Sequence, residues 1–292
     1  MMIFVYIAVL LRVLGNPVSN VLQKELTDRG GHHPLVVNFT SYVMIAAVCL
    51  ALYGWRIDWF SFPPAFWGYA ALAGLCGGLG NGFLVLALKG GDLSVLGPIN
   101  SYKSIVGLLT GIVVLGELPS AYGLLGMCLI VGGSYFVFDT TDEGFSWRLL
   151  RNKEIRYRIW AMILTAIEGV FLKKIILMSD TTTCLVVWSC SGMVFALLSL
   201  IVLRIPVLNE MHGNTSRDWR YYIFLALSVG ITQLTTNYVF KYMNVGYALA
   251  LFQLSTLVTI GFGYKLFHER HIRKKLLGSV IMIAGSVVII FG

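Results

Sequence analysis

The sequence predicts an all-α membrane protein of ten transmembrane helices, arranged as two five-helix inverted repeats. Three observations carry that prediction: a composition that suits lipid rather than water, ten apolar runs of spanning length, and an internal repeat at a nearly constant offset.

Hydrophobic residues fill 57% of the 292 positions and charged residues only 12%, with a mean hydropathy of +0.79. Soluble domains usually carry about 25% charge, so the natural solvent of this chain is lipid. The formal net charge of +8 does not point to nucleic acid. The basic residues sit mostly in short stretches between apolar runs, where they suit anionic headgroups, so membrane lipids are the expected surroundings. The five cysteines, Cys49, Cys76, Cys128, Cys184 and Cys190, all fall inside apolar runs. With no CxxC or Cys/His cluster, neither a disulfide framework nor a metal or other cofactor is expected. His32-His33 lacks matching acids or cysteines. Residues 1–22 have no basic start and run on into further spans, so they read as a first helix and not as a cleaved signal.

A hydrocarbon core of roughly 30 Å takes about 20 apolar residues per helix. That ruler predicts spans at 2–24, 35–54, 65–88, 92–115, 120–138, 157–178, 182–204, 219–241, 245–267 and 272–291. The connections are short. Lys89-Gly90-Gly91-Asp92 and Gly116-Glu117-Leu118-Pro119 are turns, and the longest links, 139–156 and 205–218, hold no catalytic domain. Trp55, Trp59, Trp147 and Trp219 mark span ends, where indole rings favour the interface.

Shifting the chain by 152 residues lays 81–138 on 233–290 without a gap. Lys89 meets Lys241, Gly111 meets Gly263 and Glu117 meets Glu269. Gly126 meets Gly278, and Gly133-Ser134 meets Gly285-Ser286. A shift of 150 pairs Lys24 with Lys174, Leu35-Val36-Val37 with Leu185-Val186-Val187, and Ser41 with Ser191. The units are 1–138 and 157–292, joined by 139–156. Each holds five spans, an odd number, so the second must enter the membrane from the opposite side. Inverted repeats of this kind are a common construction of secondary transporters.

Ala87-Leu88-Lys89, then a helix, then Leu115-Gly116-Glu117-Leu118, Gly126 and Gly132-Gly133, resembles the EamA repeat of the drug/metabolite transporter superfamily. Lys241, His268-Glu269, Gly278 and Gly285 repeat it. Where that repeat often has a proline thirteen residues before the glutamate, Ser104 and Thr256 stand here. The resemblance implies the ten-span fold and an exporter or exchanger of amino acids, metabolites, drugs or nucleotide sugars.

A charge at mid-membrane costs at least about 2.5–3.5 kcal/mol on insertion scales, so it needs a partner or a wet cavity. Arg12, Lys103 and Glu168 fall near the middles of helices 1, 4 and 6. Around them run polar stripes at helical spacing: Arg12, Asn16, Ser19/Asn20 and Gln23; Asn100 and Lys103/Ser104; Gln233, Asn237 and Lys241. Asn81, Thr165, Gln253 and Thr256 add to them. Away from their ends, helices 2, 5, 7 and 10 carry no charge. The expectation is therefore a substrate pathway surrounded by helices 1, 3, 4, 6, 8 and 9, with Arg12, Asn16, Asn20, Asn81, Asn100, Lys103, Glu168, Gln233, Asn237 and Gln253 on its wall. The other helices would face lipid or pack as scaffold. The competing expectation is that these groups only join helices by hydrogen bonds.

Glu168 is the proton-coupling candidate, since burial and neighbouring cations act on its protonation in opposite directions. Two in-span cations against one acid point to a substrate with an anionic group. Lys89, Lys241, Glu117 and Glu269 lie at span ends, where snorkelling and capping account for them. The glycines crowding helix 3, from Gly74 to Gly82, suit close packing, and Pro17 should kink helix 1.

The function expected is secondary active transport of a small polar or amphipathic metabolite by alternating access, proton-coupled or by exchange, from a monomer or homodimer. The alternative is a flippase or translocator of a lipid-linked or nucleotide-linked metabolite. An intramembrane enzyme would need a denser acid/base constellation than one in-span acid and no histidine. The location is that of an integral multi-pass membrane protein, in the cell (inner) membrane if the source is bacterial. By the positive-inside rule the loop charges place the termini outside, whereas the resemblance implies cytoplasmic termini.

Overall fold

The structure is a computed structural model that describes residues 2–89, 99–138, 152–207, 216–255, 257–258 and 272–291. Every regular element among them is helical. The ten α-helices are α1 (Met2–Lys24), α2 (Pro34–Tyr53), α3 (Pro64–Leu88), α4 (Lys103–Leu115), α5 (Ala121–Phe138), α6 (Lys153–Met178), α7 (Thr181–Val202), α8 (Ser216–Tyr242), α9 (Val245–Phe252) and α10 (Ile272–Phe291).

Local chemistry sets their ends. Pro34 and Pro64 open α2 and α3 at the position where a missing N–H costs nothing. Asn152 caps α6 by accepting from Glu154 N, and Asp180 caps α7 by accepting from Thr182 N and Thr183 N. Gly116 closes α4 at φ 70°, a left-handed conformation that favours glycine.

Four predicted spans need correction, one of them 92–115, where a 3-10 turn at Asn100–Tyr102 precedes α4. α6 starts at Lys153 and α8 at Ser216, a turn or so before the apolar runs. A hydropathy ruler stops at the first charges, but a capped helix does not. The run at 245–267 is broken: α9 ends at Phe252, where Gln253 N and Leu254 N bond three residues back to Ala250 O and Leu251 O and tighten the last turn. Gly90-Gly91-Asp92, Trp147, Thr256, and the remainder of the runs at 92–98 and 259–267 lie outside the described residues.

Met2–Asp28, Pro34–Arg56, Pro64–Leu88, Thr181–Val202 and Asp218–Tyr242 are long and apolar enough to cross a bilayer by length and composition. Lys103–Leu115, Ala121–Gly133 and Val280–Ile289 supply shorter apolar helices. The burial pattern is that of a lipid-solvated molecule. Val113 is 85% exposed and Val202 77%, while Asn237 and Ser189 are fully enclosed.

Each helix of the first half packs chiefly on the second half. α1 lies on α8, α3 on α6, α2 on α7, α4 on α9 and α5 on α10, with α3 also on α7 and α2 also on α8. Exchanging the halves (α1 for α6, α2 for α7, and so on) maps this set of pairs onto itself. The α5/α10 seam shows the relative direction. A Cβ on Gly126 would stand 2.6 Å from Gly285 O, and one on Gly133 would stand 2.7 Å from Gly278 O. Residue numbers rise on one helix as they fall on the other, so these repeat-related helices run antiparallel. α2 and α7 do the same, with Tyr42 against Gly192 and Leu35 and Val36 clustered with Leu200. The glycines of α3 let α6 and α7 approach, with Gly74 against Ser191, Gly78 against Ala196 and Gly80 against Thr165.

Candidate functional site

A polar cavity of about 110 Å³ lies at the junction of the halves. α1 runs its stripe along it, so Arg12, Asn16, Ser19, Asn20 and Gln23 all face in. α3 adds Asn81, α6 adds Glu168 and Thr165, and α8 adds Gln233, Thr232 and Thr236. Asn100 and Lys103 reach the wall from the start of α4 and the turn before it. Arg12, Asn16, Asn20, Asn81, Asn100, Lys103, Glu168 and Gln233 are thus brought together.

Asn237 and Gln253 are not. α8 points Val229, Thr232, Thr236 and Phe240 into the cavity, and Asn237 falls to the side facing α7. There its Nδ2 donates to Thr181 O at 3.2 Å and its Oδ1 accepts from Gln233 Nε2 at 2.9 Å. It positions Gln233 from outside the wall. Gln253 is buried, and its Nε2 turns back onto Leu249 O.

α2 and α7 were expected to face lipid or act as scaffold, and the structure corrects this. Asn38, Ser41, Tyr42 and Ile45 of α2 and Trp188 of α7 line the cavity. The rings of Tyr42 and Trp188 meet at a tilt of 53° with centroids 4.9 Å apart. Asn81 Nδ2 donates to Tyr42 Oη at 2.7 Å, and Trp188 Nε1 donates to Glu168 Oε1 at 2.6 Å. Charge was the signal that ranked the helices, and aromatic residues with one polar atom escape it. Gly77 faces Glu168 across the α3/α6 contact and leaves room for the carboxylate.

Arg158 falls at the edge of the predicted span 157–178; it is 6% exposed and lines the cavity from the first turns of α6. Arg12 Nε donates to Thr236 Oγ1 at 2.8 Å, and its guanidinium lies 5.1 Å from the Phe252 ring centroid. Arg12 Nη1 is buried without a hydrogen bond. Lys103 has Arg12, Arg158 and Glu168 within electrostatic reach, yet no ion pair or hydrogen bond joins it to another described residue.

At the Lys173 end of α6 the cavity is bounded by Leu172, Phe240, Leu249 and Phe252. Beyond them Lys173 is in direct contact with Glu117 and donates to Met243 O at 2.8 Å. Glu117 Oε2 accepts from Val245 N at 2.9 Å, capping α9 from another segment. The expected capping role of Glu117 is therefore met across the halves. Its ion pair with Lys173, 56 residues away, had no sequence signal.

A lipid-solvated bundle whose two halves enclose a polar hollow fits an integral multi-pass membrane protein. The chain belongs to the EamA-like transporter family, whose model matches it twice, over residues 3–139 and 153–291. It is accordingly a membrane transporter of the drug/metabolite transporter superfamily. A crystal structure of a protein 15% identical in sequence shares the fold with a TM-score of 0.69, over 95% of each chain. No curated protein matches it in sequence.

Proposed function

We propose that the chain is a secondary transporter that moves a small polar metabolite across the membrane by alternating access. In this reading all ten helices span the bilayer, and the units 1–138 and 157–292, joined by 139–156, insert with opposite orientation. The observation that carries it is that both halves build the cavity wall, α1 to α4 from one side and α6 to α9 from the other. Rocking one half against the other therefore opens the same site to one face and then the opposite one. The antiparallel α5/α10 seam supports the inverted insertion.

The substrate-contacting residues are Arg12, Asn16, Asn20, Asn81, Asn100, Lys103, Glu168 and Gln233, with Asn237 holding Gln233 in place. Glu168 carries the coupling proton, because among the described residues it is the acidic side chain that reaches the cavity. The lipid- or nucleotide-linked alternative is disfavoured by size. On the measure used for cavity volume a water needs roughly 10–15 Å³, so 110 Å³ holds a compact solute. In a bacterium the host membrane is the inner membrane, and the working unit is a monomer or homodimer.

Reconstitution into liposomes with uptake and counterflow of a metabolite panel tests the reading. Saturable counterflow of at least one small solute is expected. A sealed, correctly folded preparation that moves none of them overturns it. For the coupling step, Glu168→Gln should keep counterflow and lose the pH dependence of net uptake. An unchanged pH profile removes Glu168 from that role.

A further inference from the structure

We infer that the transported solute is an amphipathic organic oxyanion, its charged group held between Arg12 and Lys103 and its apolar end seated against Leu172, Phe240, Leu249 and Phe252. The inference rests on the transport reading and adds a substrate class to it.

The two cations come from different helices, α1 and α4, and line the same cavity. They lie within electrostatic reach of each other. Like charges in one hollow repel, and an anion between them is attracted to both. What the described residues offer these cations is incomplete. Arg12 Nε donates to the neutral hydroxyl of Thr236 at 2.8 Å, and Nη1 is enclosed without a hydrogen bond. Lys103 has no ion pair or hydrogen bond among the described residues. Glu168 is within electrostatic reach of both cations. Its Oε1, however, accepts from the indole of Trp188 at 2.6 Å, and no ion pair joins it to either cation among the described residues.

The apolar seat lies beside the same two residues. The Arg12 guanidinium is 5.1 Å from the Phe252 ring centroid. Lys103 stands one turn before Gly107, which packs against Leu249. Leu249 and Phe252 are three residues apart on α9 and share a face. With Leu172 of α6 and Phe240 of α8 they bound this end of the cavity. A site with a few fixed polar groups and an apolar wall selects a solute that has both parts.

A carboxylate or a phosphate monoester supplies the oxyanion equally, and the test separates them. Binding to the full chain in detergent is measured by titration calorimetry. The arms are propanoate, butanoate, pentanoate, butyl phosphate, glycerate, glycerol 3-phosphate, butylamine and butanamide. Counterflow of the metabolite panel in liposomes is run on the same preparation.

Butanoate, butyl phosphate or both should bind, each more tightly than its hydroxylated counterpart, glycerate or glycerol 3-phosphate. The amine and the amide should not bind. From propanoate to pentanoate each methylene should strengthen binding about fourfold, the worth of burying one. Arg12→Gln and Lys103→Met should each weaken oxyanion binding roughly ten- to a hundredfold, the worth of a charge-assisted hydrogen bond. The charge-keeping Arg12→Lys should weaken it less.

Butylamine or butanamide binding as tightly as the butyl oxyanions overturns the anion site. Tighter binding of glycerate and glycerol 3-phosphate overturns the apolar seat. No binding in any arm overturns the inference, while the transport reading falls only if counterflow of the whole metabolite panel also fails. The series on the unaltered chain decides the matter even where a variant does not fold.

Discussion

Glu117 and Glu168 are both carboxylates in contact with helices of the other half, and both have lysine or arginine nearby, yet they are satisfied in opposite ways. Glu117 touches Lys173 directly, and the remaining capacity of both is used. Lys173 Nζ donates to Met243 O and Glu117 Oε2 accepts from Val245 N. Five residues back along α6, about 7–8 Å at 1.5 Å per residue, Glu168 bonds to Trp188 and has Lys103 and Arg12 within electrostatic reach, with no ion pair to either among the described residues. The first arrangement ties three segments together at the apolar end of the cavity. The second leaves positive charge facing the hollow. A closed electrostatic account belongs to structure, and an open one belongs to a ligand.

The largest expected effect follows from breaking the closed pair. Lys173→Met leaves Glu117 buried without its counter-ion, and loss of one partner of a buried pair costs about 3–5 kcal/mol. Lys173→Met with Glu117→Gln removes both charges and should recover most of that. The contrasting substitution is Lys103→Met, which takes away a cation with no partner among the described residues. It should leave stability within about 1 kcal/mol of the parent, as expected where no specific interaction is lost, while abolishing counterflow. Thermal unfolding of all three in one detergent checks the ordering. Equal destabilisation by Lys173→Met and Lys103→Met would erase the distinction.

Next comes the bond that holds Glu168. Trp188→Phe keeps an aromatic ring against Tyr42 but removes the indole N–H. A hydrogen bond to a charged group is worth about 1.5–3 kcal/mol, so stability should fall within that range. The freed carboxylate should then compete for Lys103 and Arg12, so solute affinity should fall as well. The double variant Trp188→Phe with Glu168→Gln separates the two effects. A stability loss with unchanged affinity would show that Glu168 does not compete for the cations.

How much of this was legible in the sequence depended on whether the signal was local. The ten helices followed from apolar length, and the polar face of α1 followed from spacing. Arg12 and Gln23 are eleven residues apart, three turns of one helix. The repeat offset also carried through to the coordinates, since Gly126 and Gly133 meet the repeat-related glycines Gly285 and Gly278 in antiparallel order. The misses were tertiary. Nothing at 117 points to 173, and nothing at the edge of the run 157–178 says that Arg158 turns inward. Tyr42 and Trp188 reach the cavity because the glycines of α3 bring α7 and α6 close to it, an arrangement no single helix encodes. Asn237 was placed on the cavity wall by its i,i+4 spacing from Gln233. Four residues turn a helix by about 400°, some 40° past a full circle, enough to carry Asn237 over to α7.

The smallest effect concerns a third carboxylate, Asp180, which sharpens the contrast by being satisfied from the backbone. It caps α7, accepting from Thr182 N at 2.7 Å and Thr183 N at 3.0 Å. Partial burial pushes its carboxyl up. The hydrogen bonds from Thr183 and Thr182, together with the Lys241 charge, outweigh that and hold it below the usual aspartate value. A depressed folded value means that the ionised cap stabilises the fold above the unfolded-state value. That contribution is lost as pH falls through the folded one. Asp180→Ala should therefore cost about 1 kcal/mol at neutral pH, the usual worth of an N-cap, and the gap between variant and parent should shrink toward strongly acidic pH. Counterflow should be unaffected, since Asp180 lies between α6 and α7, away from the cavity wall. Paired unfolding curves from neutral to acidic pH measure it. A gap that widens with acidity would mean that Asp180 is held as a protonated donor, and the rule drawn from Glu117 and Glu168 would not extend to the helix ends.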